Sequence, residues 1–442
     1  MSAASFLRRL LGRSRAVGHT TQHLVALCEA LLGERGEVSG AAVARDALAA
    51  WKALDERSRN EFFDVLAKEF APSPEAVGKA ADAYRYEPTP RNLIALQAVV
   101  ESARQELFRR LNMAPAGTET LVAMRRELLR GLKAHPEWSA IDADLLHLFR
   151  SWFNRGFLHL ERIDWRTPAI VLEKLIEYEA VHAVQGWRDL RRRLEGDRRC
   201  FAYFHPQLRD EPLIFIEVAL TRGISAQVQP LLDVGAPVAT PALADSAIFY
   251  SITNCQEGLR GISFGNLLIK QVAEHLKGEF PHLRHFATLS PIPGFQRWLD
   301  STEARVQLSV GPSAEQRFAL LAAIAQPGWH TGEVPEALQK LLMRLCAWYL
   351  LHAKQGAEPL DPVARFHLGN GAALERLNWL GDTSESGMAR SAGLMVNYVY
   401  RLEDVERNHE RYFSDKAVVA SRAVDRLARK SPLAAAGQPV AG

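Results

Sequence analysis

The chain has 442 residues, of which 48% are hydrophobic and 24% are charged. This size and composition are typical of a globular protein with two or three domains. Its 54 basic residues nearly balance its 51 acidic residues, which argues against nucleic acid as a partner because nucleic-acid binders concentrate positive charge on one face. No stretch approaches about 18 uninterrupted apolar residues, so we expect no transmembrane helix and no membrane partner.

The four cysteines lie far apart and include no CxxC pair. We expect reduced thiols, with a regulatory or intersubunit disulfide as the alternative. His282 and His285 form an HxxH spacing, but no cysteine or carboxylate accompanies them, so we expect no metal site.

The first 28 residues contain no Asp or Glu, and arginines alternate there with apolar side chains. A basic leader on a bacterial protein is the interpretation we favour, because Ala and Arg are abundant along the whole chain. A mitochondrial transit peptide is the alternative. We therefore expect a cytoplasmic location, with the mitochondrial matrix as the second choice.

Residues from about 20 to 135 carry apolar side chains at helical spacing, with proline pairs between the segments. The pattern predicts a helical bundle, including one helix over 91–111 and another over 121–132. Nothing in this half carries chemistry, so its expected role is packing or self-association. We predict a helical domain over residues 1–149 and a second domain over 150–442.

The second half contains short runs of β-branched and aromatic residues, interrupted by helical segments. A helix between the third and fourth runs predicts βαβ connectivity and an α/β sheet. Helices are also predicted over 315–325 and 335–351. The predicted strands are 200–205, 213–220, 247–253, 283–289 and 394–402.

A glycine-rich stretch with Gly258, Gly261 and Gly265 opens the helix between those strands. By themselves, these glycines fit either close helix packing or a loop whose N–H groups hold a phosphate. The spacing Arg260-x-x-Ser263-x-Gly265 resembles the Q/R-x-x-G-x-G/A loop of the GNAT acyltransferase superfamily, although Ser263 replaces the middle glycine. That resemblance implies that the CoA pyrophosphate is held by the residues of this loop, namely Arg260, Gly261, Ile262, Ser263, Phe264 and Gly265.

Two further segments carry candidate chemistry. Ser290 follows the fourth predicted strand and precedes a Pro-Ile-Pro-Gly turn, so it is either a turn residue or a hydroxyl at the ligand-binding edge of the sheet. His367 precedes a Gly-Asn-Gly turn and is either structural or an acid–base group. No G-x-S-x-G motif surrounds Ser290 and no Asp partner is evident, which argues against hydrolase chemistry.

The segments FATLSPIPGF (286–295), ARFHLGNGA (364–372) and GLMVNYVYRLE (393–403) resemble the malonyl-CoA decarboxylase family, as do RGFLHLERIDW (155–165) and EAVHAVQGWRDLRRRL (179–194). The resemblance covers roughly residues 150–415. It implies a helical oligomerisation domain followed by a GNAT-like catalytic domain. By the same resemblance Ser290 and His367 are the catalytic pair, and Ser251, Asn370 and Tyr400 contribute to substrate or CoA binding.

The resemblance implies decarboxylation of malonyl-CoA to acetyl-CoA and CO2. The thioester is its own electron sink, so we expect an enolate intermediate and neither a metal nor an organic cofactor. We expect a homo-oligomer, a dimer or a tetramer, formed through the helical domain. The alternatives are a GNAT-type N-acyltransferase, which needs an amine acceptor, and a catalytically silent CoA-binding scaffold.

Five arginines cluster between residues 191 and 199. The interpretation we favour is a solvated charged face. The alternative is contact with the CoA phosphates, which the arginine fork fits well.

Overall fold

The computed structural model describes residues 18–33, 37–262, 268–309, 313–326 and 328–434. The chain forms two compact units. The first comprises residues 1–159, 204–211 and 256–264, and the second comprises the remainder. The division predicted between residues 149 and 150 stays a prediction. The basic leader falls largely on residues 1–17, which lie outside the described residues.

The first unit is helical, as predicted. Its helices often begin at a side-chain cap: Asp55, Ser73, Thr89 and Ser102 each accept a hydrogen bond from the backbone N–H three residues on. The helices are α1 (His19–Gly33), α2 (Glu37–Ala53), α3 (Glu56–Lys68), α4 (Pro74–Tyr86), α5 (Pro90–Val100), α6 (Ala103–Asn112), α7 (Gly117–Gly131) and α8 (Ser139–Trp152), with 3-10 turns at Pro136–Trp138, Arg155–Phe157 and Glu257–Leu259.

Aromatic side chains fill the core of the first unit. Trp138 is fully buried, its ring centroid lies 5.0 Å from that of Phe63, and its indole N–H donates to Asp64 at 2.9 Å. The hydrogen bond satisfies the polar end of a ring that is otherwise surrounded by apolar atoms.

Helices α4 and α5 form a hairpin that differs from the rest of this unit. All of its residues are described, and none of those in the two helices is buried. Tyr86 is 94% exposed, Ile94 64% and Val100 50%. An apolar surface of this kind is a common feature of protein–protein contact sites.

The second unit contains the sheet, apart from its terminal residues His159 and Phe204. Its strands are β1 (His159–Ile163), β2 (Arg198–Phe204), β3 (Ile214–Thr221), β4 (Ser246–Asn254), β5 (His285–Thr288), β6 (Ser290–Pro291), β9 (Ala373–Asn378) and β10 (Met395–Val399), with a separate hairpin of β7 (Lys354–Gln355) and β8 (Glu358–Pro359). Its helices are α9 (Ala169–Tyr178), α10 (Trp187–Arg193), α11 (Gln229–Leu232), α12 (Leu268–Glu279), α13 (Phe295–Leu299), α14 (Thr302–Ser309), α15 (Ala314–Ala323), α16 (Glu336–His352), α17 (Pro362–Gly369), α18 (Glu385–Ser391), α19 (Val405–Asp415) and α20 (Arg422–Arg429), with a 3-10 turn at Pro241–Leu243.

The sheet is mixed. Strands β2, β3 and β4 pair antiparallel, and β4 then pairs parallel with β5, as the βαβ prediction requires. Strand β10 pairs antiparallel with β5 and β6 on one side and with β9 on the other. The predicted fold class, a helical region followed by a mixed α/β region, is therefore confirmed. No described helix is both long and apolar enough to cross a membrane.

One predicted helix needs correction, and two strands were missed. The helix predicted over 91–111 is two helices, because Ser102 caps a new helix and its hydroxyl donates to Asp144 at 2.7 Å. Strands β1 and β9 were not predicted. Most residues of β1 are exposed, and in β9 buried residues flank two less buried ones, so buried and exposed residues do not alternate in either strand. The period-two pattern that predicts a strand is therefore weak in both.

The arginine cluster is not a solvated face. Arg192 forms a two-bond ion pair with Asp197 at 2.7 and 3.0 Å. Arg193, 2% exposed as a side chain, donates to Asp189 and Glu217, both at 2.9 Å. Burial raises the pKa of Glu217 to about 7. These ion pairs lie inside the second unit, and only Arg191 of the three consecutive arginines is exposed.

We expect Arg193→Ala to lower the free energy of unfolding of the second unit by about 3–5 kcal/mol, because two buried carboxylates lose their cation. Urea unfolding followed by circular dichroism measures the effect. Arg191→Ala, whose side chain is exposed, is the matched control. Equal stability of the two variants would show that the buried ion pairs contribute little.

Candidate active site

A cavity of about 240 Å³ opens in the second unit beside strands β4 and β6 and the first turns of α17. Its wall combines residues from the two segments that carry the predicted catalytic pair with residues of β4. The lining residues are Val181, Phe249, Tyr250, Ile252, Asn254, Leu289, Ser290, Pro291, Pro362, Val363, Phe366 and His367.

Ser290 and His367 meet at this wall. The Ser290 Oγ lies 3.0 Å from His367 Nε2, and both side chains are buried, 5% and 3% exposed. Ser290 is placed by the pairing of β6 with β10, in which Val396 is its partner. His367 lies in the last turn of α17. The structure therefore brings the predicted pair into hydrogen-bonding contact.

Tyr400 completes the environment of the imidazole. Its hydroxyl lies 2.8 Å from His367 Nδ1, and the ring of Tyr398 stacks on the imidazole with centroids 4.7 Å apart. No carboxylate occupies the Nδ1 side among the hydrogen bonds of the described residues. A hydrolytic triad uses a buried Asp or Glu at that position, so the arrangement differs from one.

The hydrogen bonds around Ser290 assign the imidazole tautomer. The Ser290 hydroxyl donates to Thr288 Oγ1 at 2.8 Å, and that oxygen also accepts the Tyr398 backbone N–H at 3.1 Å. With the serine proton directed at Thr288, His367 Nε2 must carry a hydrogen and donate it to Ser290. Nδ1 then accepts from the Tyr400 hydroxyl, because a neutral imidazole has one donor and one acceptor.

Burial lowers the pKa of His367 to about 3. Burial also raises the pKa of Tyr400 well above its usual value. A low-dielectric site disfavours the charged form of both groups. In the free protein the pair is therefore neutral at ordinary pH.

The rest of the cavity wall is mainly apolar. Among the described lining residues there is no Lys or Arg, and the only carboxamide is Asn254 at the end of β4. A carboxylate placed here has no cationic partner on the wall. Such surroundings favour a neutral product over an ionised carboxyl group.

Two other predicted site residues lie outside the cavity wall. The Ser251 hydroxyl donates to Glu179 at 2.7 Å, and Glu179 also accepts the backbone N–H groups of Val181 and His182. Ser251 thus supports the loop that supplies Val181 to the cavity. The Asn370 amide donates to the Phe366 carbonyl at 2.8 Å and closes the end of α17. Their predicted binding roles stay predictions.

The predicted CoA loop is described only in part. Arg260, Gly261 and Ile262 follow the 3-10 turn Glu257–Leu259 in the first unit, and Gly261 has φ +83°, a conformation that favours glycine. Arg125 donates to the carbonyls of Gly258 and Arg260, both at 2.8 Å. These two hydrogen bonds hold the first residues of the loop in place. Ser263, Phe264 and Gly265 lie outside the described residues.

Sequence reasoning missed Thr288, Tyr398 and Asn254. Thr288 and Ser290, like Tyr398 and Tyr400, are two residues apart, the spacing that places strand residues on one face. That signal was available for the first two residues. Asn254 offered no comparable signal, because its place on the cavity wall depends on how β4 pairs with β3.

Comparisons with known proteins agree with this architecture. The family model described as the malonyl-CoA decarboxylase C-terminal domain matches residues 156–438, and that of the N-terminal domain matches residues 70–153. A mitochondrial malonyl-CoA decarboxylase of Anser anser anser is 39% identical over 372 residues, which is 79% of this chain and 71% of that protein. The corresponding Rattus norvegicus protein is 38% identical over 72% of this chain and 69% of its own length.

Solved structures give the same result. The malonyl-CoA decarboxylase of Rhodopseudomonas palustris is 48% identical with a TM-score of 0.87, covering 92% of this chain and 99% of that one. The enzyme of Cupriavidus metallidurans is 36% identical with a TM-score of 0.74, covering 93% and 100%. The helical unit and the mixed sheet define an α/β protein that carries a buried Ser290–His367–Tyr400 hydrogen-bonded chain. The chain belongs to the malonyl-CoA decarboxylase family.

The depressed pKa of His367 predicts a pH-dependent stability. Between about pH 6.5 and pH 3 the unfolded chain binds a proton at this residue and the native state does not. Stability is therefore lost as pH falls through that window, by up to about 1.4 kcal/mol per pH unit.

We expect His367→Gln to remove this contribution. The stability difference between wild type and variant should shrink as the pH is lowered from 7.5 to 4.5, measured by urea unfolding at four pH values. Parallel curves would show that the imidazole titrates alike in the native and unfolded states.

Proposed function

We propose that this protein decarboxylates malonyl-CoA to acetyl-CoA and CO2 at the cavity beside Ser290 and His367. The observation that carries the proposal is the hydrogen-bonded chain Ser290–His367–Tyr400 at the wall of a mainly apolar cavity. Membership of the family supports the reaction, and the geometry supports the roles below.

The substrate supplies the electron sink. Cleavage of the bond between the α-carbon and the carboxylate leaves its electron pair on the α-carbon, where it delocalises onto the thioester oxygen as an enolate. The carboxylate departs as CO2. This chemistry needs no metal and no organic cofactor, and we propose that the protein uses neither.

The cavity favours the departure of CO2. A malonyl carboxylate beside Val181, Phe249 and Phe366 loses water and gains no cation from the described wall. Conversion to neutral CO2 relieves that cost. The amide of Asn254 is a polar group of the wall that can meet charge developing on the thioester oxygen.

His367 and Ser290 then deliver the proton. The enolate left after CO2 departs raises the pKa of the neighbouring imidazole, because a nearby negative charge favours the cation, and the imidazole takes up a proton from solvent. The imidazolium formed in the complex passes Nε2–H to Ser290 as the serine hydroxyl protonates the α-carbon. The Tyr400 oxygen accepts Nδ1–H and holds the ring in place. The α-carbon becomes a methyl group and His367 returns to its neutral form, so the one proton that the reaction consumes is the one taken up when the imidazolium formed.

Nucleophilic acyl transfer fits the geometry less well. The Ser290 hydroxyl proton is directed at Thr288 and not at the imidazole, so His367 is not placed to remove it. An N-acyltransferase would also need an amine acceptor. Consumption of malonyl-CoA without an added amine, with equal amounts of acetyl-CoA and CO2, separates decarboxylation from that alternative. Bound CoA without turnover would indicate a silent scaffold.

We expect Ser290→Ala and His367→Gln each to lower kcat by about 10²–10⁴-fold, the usual contribution of a general acid–base group. Tyr400→Phe should cost about tenfold, because it removes one hydrogen bond from the ring. Release of CO2 and acetyl-CoA by purified protein measures all three. His282→Gln, an exposed histidine, is the control. Unchanged turnover in both Ser290→Ala and His367→Gln contradicts the mechanism.

We further propose that CoA is held by the loop that begins at Arg260. The Arg260 side chain is exposed, and the carbonyl groups on either side of Leu259 are fixed by Arg125. A fixed backbone with an exposed guanidinium suits an anionic ligand. The proposal extends the resemblance of this loop to the superfamily motif.

We also propose that copies of this chain associate through the helical hairpin α4–α5. We expect Ile94→Glu to shift the protein to a smaller species, since a charge in an apolar contact is costly. Multi-angle light scattering over a concentration series measures the mass. Ala95→Glu adds the same charge at another exposed position of α5 and is the control. An unchanged mass in the Ile94→Glu variant would show that the hairpin does not form the contact.

A further inference from the structure

We infer that Asp361 is a positioning residue for this reaction: one buried carboxylate holds both the turn after Ser290 and the helix that carries His367. The inference rests on the proposed function and names a residue outside the catalytic chain. Asp361 is 1% exposed and is not part of the cavity wall, whereas its neighbours Pro362 and Val363 are.

One oxygen of Asp361 fixes the start of the histidine helix. Its Oδ1 accepts the backbone N–H groups of Val363 at 3.0 Å and Ala364 at 2.9 Å. These are the first free donors of α17, because Pro362 has no N–H. His367 lies six residues after Asp361 on this short helix, so the position of the cap sets the position of the imidazole.

The other oxygen faces the serine turn. Oδ2 accepts the Tyr349 hydroxyl at 3.4 Å, and the Gly294 backbone N–H also interacts with the carboxylate. A Cβ on Gly294 would lie 2.2 Å from the Tyr349 oxygen and 3.5 Å from Asp361 Oδ2, so the turn packs directly against this pair. Gly294 is only four residues beyond Ser290, and Pro291 and Pro293 stiffen the segment between them.

A simple helix cap would not need this arrangement. Serine, threonine or asparagine also caps a helix, and each does so without burying a charge. Burial raises the pKa of Asp361, while the N–H groups of Ala364, Gly294 and Val363 and the Tyr349 hydroxyl lower it. The contacts of the second oxygen therefore explain why a carboxylate, and not a smaller cap, occupies this position. Asp361 links the serine segment to the histidine segment and so maintains the 3.0 Å contact between Ser290 and His367.

Asp361→Ser separates the two functions. The serine hydroxyl keeps a cap on α17 but cannot also reach Tyr349 and the Gly294 turn. Asp361→Asn keeps the shape and replaces one oxygen by an amide donor. That donor then faces either the Tyr349 hydroxyl and the Gly294 N–H or the N–H groups of α17.

For both variants we expect kcat to fall by about 10²-fold, the usual effect of a misplaced catalytic group. The KM for malonyl-CoA should change by less than about threefold, because no substrate contact is lost. Thermal unfolding monitors the fold. The Ser384 hydroxyl caps α18 by accepting the Gly387 N–H at 3.1 Å. Ser384→Ala is therefore the matched control for loss of a helix cap in the same unit. Its kcat should equal that of wild type.

A folded Asp361→Ser variant with wild-type kcat would overturn the inference, as would a kcat loss matched by Ser384→Ala. If neither Asp361 variant folds, Gly294→Ala decides: its methyl group displaces the turn from Tyr349, and unchanged kcat in the folded protein contradicts the positioning role. These outcomes all presuppose an active wild type. Absence of malonyl-CoA turnover in the unmodified protein would instead contradict the proposed function, and the inference with it.

Discussion

The hydrogen bond between Ser290 and His367 joins two segments that are 77 residues apart, and much of the second unit serves to hold it. The serine is placed by the pairing of β6 with β10. The histidine is placed by a short helix whose first turn is capped by Asp361. Strand β10 also supplies Tyr398, and Tyr400, the other tyrosine that contacts the imidazole, follows directly after it. The site therefore exists only when the sheet and α17 have formed together.

Burial gives this hydrogen bond its chemical character. The same low dielectric that holds His367 neutral in the free protein makes it responsive to the charge of a bound substrate. In the proposed mechanism the apolar wall also destabilises the malonyl carboxylate but not CO2. Proton supply and loss of CO2 then both depend on one physical property of the cavity.

Charge is buried elsewhere in the second unit for structural reasons. Arg193 lies between Asp189 and Glu217 and also donates to the His182 carbonyl at 2.8 Å, next to Val181 of the cavity. Glu179 reaches the same loop from the side of β4. Ion pairs of this kind fix geometry, since removing one partner leaves an uncompensated buried charge. The loop at the cavity wall is consequently held from two directions.

The sequence by itself determined the helical first half and the parallel pairing implied by the helix between β4 and β5, because periodicity is local in the chain. Its motifs also predicted Ser290, His367 and Tyr400 as site residues, and the structure brings these three into contact. The sequence did not determine the burial of Arg192 and Arg193, since a run of arginines looks the same whether solvated or paired with distant carboxylates. Nor did it show that Ser251 supports a loop or that Asp361 contacts both the turn after Ser290 and the helix of His367. Those assignments depend on which side chains meet across the fold, and only the tertiary structure decides that.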